Sequence, residues 1–124
     1  MEARAATSAA LQTGTKPAEA VPPRQVVAVR QDWTLFVESA PLIRSMVEDI
    51  RNARQRVWVE IYIFGDDALG REIAEALKDR ARAGLDVRVL YDAIGSQNAP
   101  RAFFREMQEA GVQVHAFHTF WEAL

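Results

Sequence analysis

The sequence predicts an α/β fold, a βαβαβ stretch built on a parallel sheet and incomplete as a domain. Two observations carry this reading. Three β-prone runs, VWVEIYIF (Val57 to Phe64), DVRVLYDA (Asp86 to Ala93) and VQVHAF (Val112 to Phe117), alternate with two segments of helical periodicity. The connections between them are short, and strand–helix–strand units joined in this way form crossovers between parallel strands. Beyond Phe117 only a few residues follow, Phe120 and Trp121 among them, so the sheet reads as a portion of a larger one.

The elements follow in order. Residues 1–24 are rich in Ala, Thr and Pro and hold no aromatic residue, and Arg4 and Lys16 balance Glu2 and Glu19. Such a segment buries too little apolar surface to offset its ordering entropy, so it is expected to be a disordered tail. The two acids weigh against a targeting peptide. From Gln25 onward, VVAV (Val26 to Val29) and TLFV (Thr34 to Val37) suggest an edge hairpin. Ser39 offers an N-cap and Pro41 fits a first turn. Leu42, Ile43, Met46, Val47, Ile50 and Ala53 then give a helix one apolar face to about Arg54. The run Val57 to Phe64 is apolar on both faces except for Glu60, the pattern of a central strand covered on two sides.

After the pair Asp66–Asp67, Leu69, Ile73, Ala76, Leu77 and Ala81 line one helix face. Arg71, Glu72, Glu75, Lys78, Asp79 and Arg82 are expected to face water, and Gly84 stops the helix. The strand from Asp86 leads into the loop IGSQNAP. Pro100 to Ala110 reads as a helix with Phe103, Phe104 and Met107 inward and Gly111 as its stop.

Composition narrows the chemistry. The hydrophobic content of 49% suits a globular domain, and the net charge of -2 leaves no basic excess for displacing phosphate counterions, so no nucleic-acid partner is expected. With no cysteine, disulfides and thiolate metal sites are excluded. No run of eighteen apolar residues occurs.

In open parallel sheets, ligands bind beyond the carboxyl ends of the strands. That rule gathers Asp66, Asp67, Asp92, Gly95 and Ser96 at one rim. Each also has a plainer reading. Asp67 can cap the helix that begins near Ala68, and Asp92 can end its ladder or cap a turn. Gly95-Ser96 resembles a fragment of a phosphate-binding loop, which alone is weak evidence. Glu60 either meets a partner charge near the site or marks a strand face that meets water. His115 and His118 do not make a metal pair, because residues three apart on a strand point to opposite faces. Structural histidines fit them better, and no Ser-His-Asp order, P-loop or zinc-ligand spacing occurs.

Read together, the motifs resemble the phospholipase D superfamily, and within it the bacterial cardiolipin synthase branch. The pieces are A-R-x-x-V-x-x-E-x-Y-I-F (Ala53 to Phe64), D-x-x-G (Asp67 to Gly70) and A-L-x-x-R-A-x-x-G (Ala76 to Gly84). D-V-R-V-L-Y-D-x-x-G-S (Asp86 to Ser96) and A-G-V-x-V (Ala110 to Val114) complete the set, and the resemblance spans about residues 25 to 124. It implies a phosphatidyltransferase or phosphodiesterase that forms a phospho-histidine, with a second histidine protonating the leaving alcohol. In the family, lysines hold the phosphoryl oxygens and no cofactor or metal takes part. Those groups come from H-x-K-x-x-x-x-D motifs, two per active site. Neither His115 nor His118 is followed by such a lysine, so no catalytic residue is carried over to this chain.

The resemblance therefore implies a partial catalytic domain over residues 25–124, truncated before that motif and inactive alone. Asp67, Asp92, Gly95 and Ser96 would form its substrate-side rim. Its implied partners are a phospholipid substrate of the full-length protein, the rest of its own domain and a second phospholipase D-like domain. The implied location is peripheral, at the cytoplasmic side of the bacterial membrane. Two other readings remain open: a fragment of a phospholipase D-like phosphodiesterase or nuclease, and a non-catalytic α/β interaction module.

Overall fold

The computed structural model describes residues 20–28 and 31–118; the tail reading of residues 1–19 and the aromatic pair Phe120–Trp121 lie outside them. A hairpin comes first, with β1 (Arg24–Ala28) antiparallel to β2 (Gln31–Leu35). Its second strand begins earlier than the Thr34-to-Val37 run suggested, because Arg24 pairs with Leu35 and the register leaves Phe36 and Val37 beyond the ladder. Helix α1 spans Ser39–Asn52. Ser39 is its first helical residue, not its cap. Glu38 takes the cap position without a side-chain bond to the helix.

The second sheet has three parallel strands in the order β3 (Arg56–Ile61), β4 (Asp86–Asp92), β5 (Gln113–Phe117). Val57 pairs with Val87, and Val89 pairs with both Val59 and Val114. Between the strands run α2 (Ala68–Arg82) and α3 (Arg101–Glu109). The α/β class and the parallel sheet thus stand as the sequence predicted.

Three expectations are corrected. Among the described residues, the strand from Val57 lies at the edge of this sheet with β4 at its centre, and it ends at Ile61. Its residues alternate: Val57, Val59 and Ile61 pack on the core, whereas Trp58 is 59% exposed and Glu60 lies in solvent. A continuous apolar run did not mean burial on both faces, since Trp58 is held by other means. Its indole Nε1 donates to Asp86 at 3.1 Å, and the Arg56 and Arg88 guanidinium carbons lie 4.8 and 5.2 Å from its ring.

Leu69 is the second correction. It is 41% exposed, and Gly70 takes the buried place beside it. A Cβ on Gly70 would lie 1.9 Å from the Gly65 carbonyl oxygen, so only glycine lets the first turn of α2 approach the chain leaving β3. Lys78 is the third. It is buried, not solvated, and its ammonium reaches Glu75 at 2.6 Å and Glu106 at 3.8 Å, which ties α2 to α3.

The helices cover one face of the sheet. Val47 and Ile50 of α1, Ile73 and Leu77 of α2, and Phe103 and Met107 of α3 close over Val87 and Val89. Phe64 meets Phe103 edge-on at 5.0 Å, and Tyr91 stacks on Phe104 at 3.9 Å. Gly84 and Gly111 end α2 and α3 with φ of 88° and 97°, a left-handed stop that glycine adopts without strain. The opposite face, with Trp58, Glu60, Tyr62, Leu90, His115 and Phe117, is covered by no helix among the described residues.

Candidate functional site

The carboxyl ends of β3 and β4 deliver two loops to one rim. Leaving β3, the chain runs through Tyr62, Ile63 and Phe64, and the Phe64 ring anchors it in the core with 1% exposure. Leaving β4, the chain turns at once around the Asp92 carboxylate. One oxygen accepts the amides of Ile94 at 2.9 Å and Gly95 at 2.7 Å, and the other meets Nδ1 of His118 at 2.7 Å. The Gly95 amide above all, and then His118, hold the Asp92 carboxyl below the usual carboxylate range, against the opposing effect of burial.

Ser96 joins the two loops. Its hydroxyl is buried, accepts the Phe64 amide at 2.9 Å and donates to the Tyr62 carbonyl at 3.4 Å. Gly95 makes that seam possible, since a Cβ there would lie 2.3 Å from the Tyr62 carbonyl oxygen. The Gly95-Ser96 pair is therefore a stitch between loops. The amides of Ile94 and Gly95, which a phosphate cradle would need, are already given to Asp92.

Asp67 caps α2, accepting the Gly70 amide at 2.8 Å. Asp66 turns the other way and pairs with Arg71, whose Nε and Nη2 lie 2.5 and 2.9 Å from its two carboxylate oxygens. The hydrogen bond to Asp66 raises the Arg71 guanidinium above its ordinary value. Of the rim residues, Asp92, Gly95 and Ser96 thus form one connected cluster with Tyr62 and Phe64. Asp67 is bound into the start of its own helix.

Residues that the rim argument passed over line the adjoining recess. It measures about 360 Å³ and is walled by Glu60, Tyr62, Leu90, Asp92, Ile94, Phe117 and His118, with Ile61 and Tyr91 below. His118 has φ of 54°, a left-handed turn that brings its ring back to Asp92. Register could have found this pair: β5 runs parallel to β4 with Phe117 opposite Asp92, so the next residue falls beside that carboxylate. His115 sits on the open face in the row Glu60–Leu90–His115 and takes no part in this pairing.

Comparison with known proteins decides the family. Residues 46–123 match the family model described as cardiolipin synthase, phospholipase D-like domain. The chain belongs to that family. Among its relatives, cardiolipin synthase 1 of Staphylococcus aureus (strain COL) is 37% identical over 82 residues, which cover 66% of this chain and 17% of that protein. Cardiolipin synthase A of Pseudomonas fluorescens (strain SBW25) is 39% identical over 85 residues, or 68% of this chain and 18% of that protein. Cardiolipin synthase of Listeria monocytogenes (serotype 4a, strain HCC23) is 36% identical over 83 residues, or 67% and 17%. The chain thus spans about a sixth of the length of the curated relatives it matches. No solved structure matches it. The family match begins at Met46, inside α1, and contains every motif from Ala53 to Val114.

Proposed function

We propose that this chain supplies the substrate-side rim of a cardiolipin synthase-like phosphatidyltransferase and is inactive by itself. The observation behind the reading is that the family match spans β3, α2, β4, α3 and β5 together, and so includes both loops of the rim. In this reading a histidine of an H-x-K-x-x-x-x-D motif, outside residues 1–124, attacks phosphorus and releases an alcohol protonated by a second histidine. The acceptor alcohol then attacks the phospho-histidine and restores the free imidazole. Residues 25–124 act as part of one catalytic domain that works beside a second phospholipase D-like domain. The substrate is a phospholipid. The protein meets it peripherally, at the cytoplasmic side of the bacterial membrane; no helix among the described residues is long and apolar enough to cross a bilayer.

Within this role, Asp67, Asp92, Gly95 and Ser96 shape the rim and touch no reacting atom. Asp92 and Ser96 hold the loop after β4 against the loop after β3, so the recess keeps one form.

Two assays test the proposal. The purified chain, incubated with phosphatidylglycerol or a chromogenic phosphodiester, should give no turnover, and turnover that survives replacement of both His115 and His118 by Ala would overturn it. A chimera of Staphylococcus aureus cardiolipin synthase 1 carrying this chain's matched segment should make cardiolipin. A folded but inactive chimera would count against the transferase reading.

A further inference from the structure

We infer that the outer edge of β5 and the cleft between β5 and α3 dock an extended acidic segment of a partner protein. The segment adds to the sheet as a strand and seats a carboxylate against Arg101 and Arg105. Neither the rim nor the transferase reading is needed for it.

The edge offers main-chain groups. β5 is the outermost strand of the described sheet and pairs there only with β4. The Phe117 carbonyl accepts the Ala93 amide at 2.8 Å, so Gln113, His115 and Phe117 turn their main-chain groups towards β4. These groups alternate along a strand, and Val114 and Ala116 therefore turn theirs to the open edge. No lysine or proline among Gln113–Phe117 guards that edge against an added strand. Val114 and Ala116 also line a cleft of about 420 Å³, walled by Tyr91 of β4 and by Arg101, Phe104 and Arg105 of α3. The two arginines are the charged side chains of that lining, and no carboxylate joins them. Arg101 has no ion-pair partner among the described residues. Arg105 meets Glu109 at 3.6 Å with both side chains largely in solvent, so that pair holds it weakly.

Charge and geometry together select the occupant. Alternate residues of a strand added to β5 fall on the same face as Val114 and Ala116, over the cleft. A guanidinium takes a carboxylate with two parallel hydrogen bonds, so an acidic side chain fits there, whereas a basic one would meet repulsion. Tyr91 and Phe104, stacked at 3.9 Å, give its methylene stem an apolar floor. A small free anion would satisfy the arginines and leave the main-chain groups of Val114 and Ala116 to water. A second copy pairing edge to edge would do the opposite, since β5, QVHAF, brings no carboxylate. An extended acidic segment satisfies both sets of groups at once.

The test uses the full chain and three end-blocked, fluorescein-labelled peptides, read by fluorescence anisotropy. One alternates valine with glutamate, the second has glutamine for glutamate, and the third is the glutamate peptide with its backbone amides methylated. The glutamate peptide should bind about tenfold more tightly than the glutamine peptide, as one charge-assisted hydrogen bond would give. The methylated peptide should not bind. The double variant Arg101→Gln, Arg105→Gln should lose the tenfold preference. Both positions are exposed, and an unchanged melting temperature would show that the variant folds. Hydrogen exchange locates the contact: the amides of Val114 and Ala116 should slow when the glutamate peptide binds, whereas those of His115 and Phe117, turned to β4, should change little. Equal binding of the methylated peptide and its parent would leave charge attraction without strand addition. Equal binding of the glutamate and glutamine peptides, or a preference that survives in the double variant, would remove the arginines from the site. Protection of Val114 and Ala116 in the chain alone, at a concentration where light scattering shows a dimer, would make the edge a contact between copies. Each of these results, and equally an absence of binding, overturns the inference.

Discussion

Replacing Ser96 by alanine should cost far more than the size of the change suggests. The hydroxyl is the acceptor for the Phe64 amide at 2.9 Å, and Phe64 is 1% exposed, so no solvent stands ready to replace it. Alanine removes the acceptor and leaves a buried N–H without a partner, a loss of about 1–3 kcal/mol. The 3.4 Å contact to the Tyr62 carbonyl is long and adds little. With a urea slope of about 1.5 kcal/mol/M, a loss of about 2 kcal/mol lowers the unfolding midpoint by about 1.3 M. The slope itself should not change, since the surface exposed on unfolding is the same. Ser39→Ala is the control: that residue is exposed, and its replacement should stay within about 0.5 kcal/mol. Hydrogen exchange gives a second readout, because the Phe64 amide should lose protection in Ser96→Ala while amides in the middle of α2 do not. Equal midpoints for Ser96→Ala and Ser39→Ala, with the Phe64 amide still protected, would refute the reasoning. They would mean that the two loops are held together by packing alone.

Gly70→Ala should destabilise the chain by about 1–3 kcal/mol although alanine is the better helix former, because its Cβ would meet the Gly65 carbonyl oxygen at 1.9 Å; a denaturant titration checks the sign. The depressed Asp92 carboxyl predicts the acid limb of stability. A folded-state value below the unfolded one adds stability above the unfolded carboxylate range, and that stability is lost as pH falls through the folded value. Asp92→Asn should therefore lower stability at neutral pH and flatten the loss below about pH 4, measured as melting temperature against pH. Asp86, lowered foremost by its bond to Arg88, keeps its own contribution in both proteins, so the difference between them isolates Asp92. Finally, the open sheet face, with Trp58 59%, Tyr62 67% and Phe117 52% exposed, should drive self-association of the isolated chain; Leu90→Lys, at the centre of that face, should shift light scattering towards monomer.

The alternation of β-prone runs with helical periodicity determined the class, the order of elements and the parallel sheet, because each of those is written in local spacing. Asp67 could be read as a cap from its place before Ala68, and Phe103, Phe104 and Met107 as core from their spacing along α3. The family, too, was legible, since the strand-end motifs carry it.

Local spacing did not determine which strand stands in the middle or which face is covered. The run Val57 to Phe64 looks central by composition, yet β3 lies at the edge of the described sheet and Trp58 is exposed, held by Arg56 of its own strand and by Asp86 and Arg88 of β4. Lys78 looks solvated on a helical wheel, yet it is buried, with Glu75 of its own helix and Glu106 of α3 beside its ammonium. The bond from His118 to Asp92 spans 26 residues, and the bond from the Phe64 amide to Ser96 spans 32. Periodicity sees a few residues at a time. The rim is made by contacts between distant segments, and those exist only once the parallel register has brought the strand ends together.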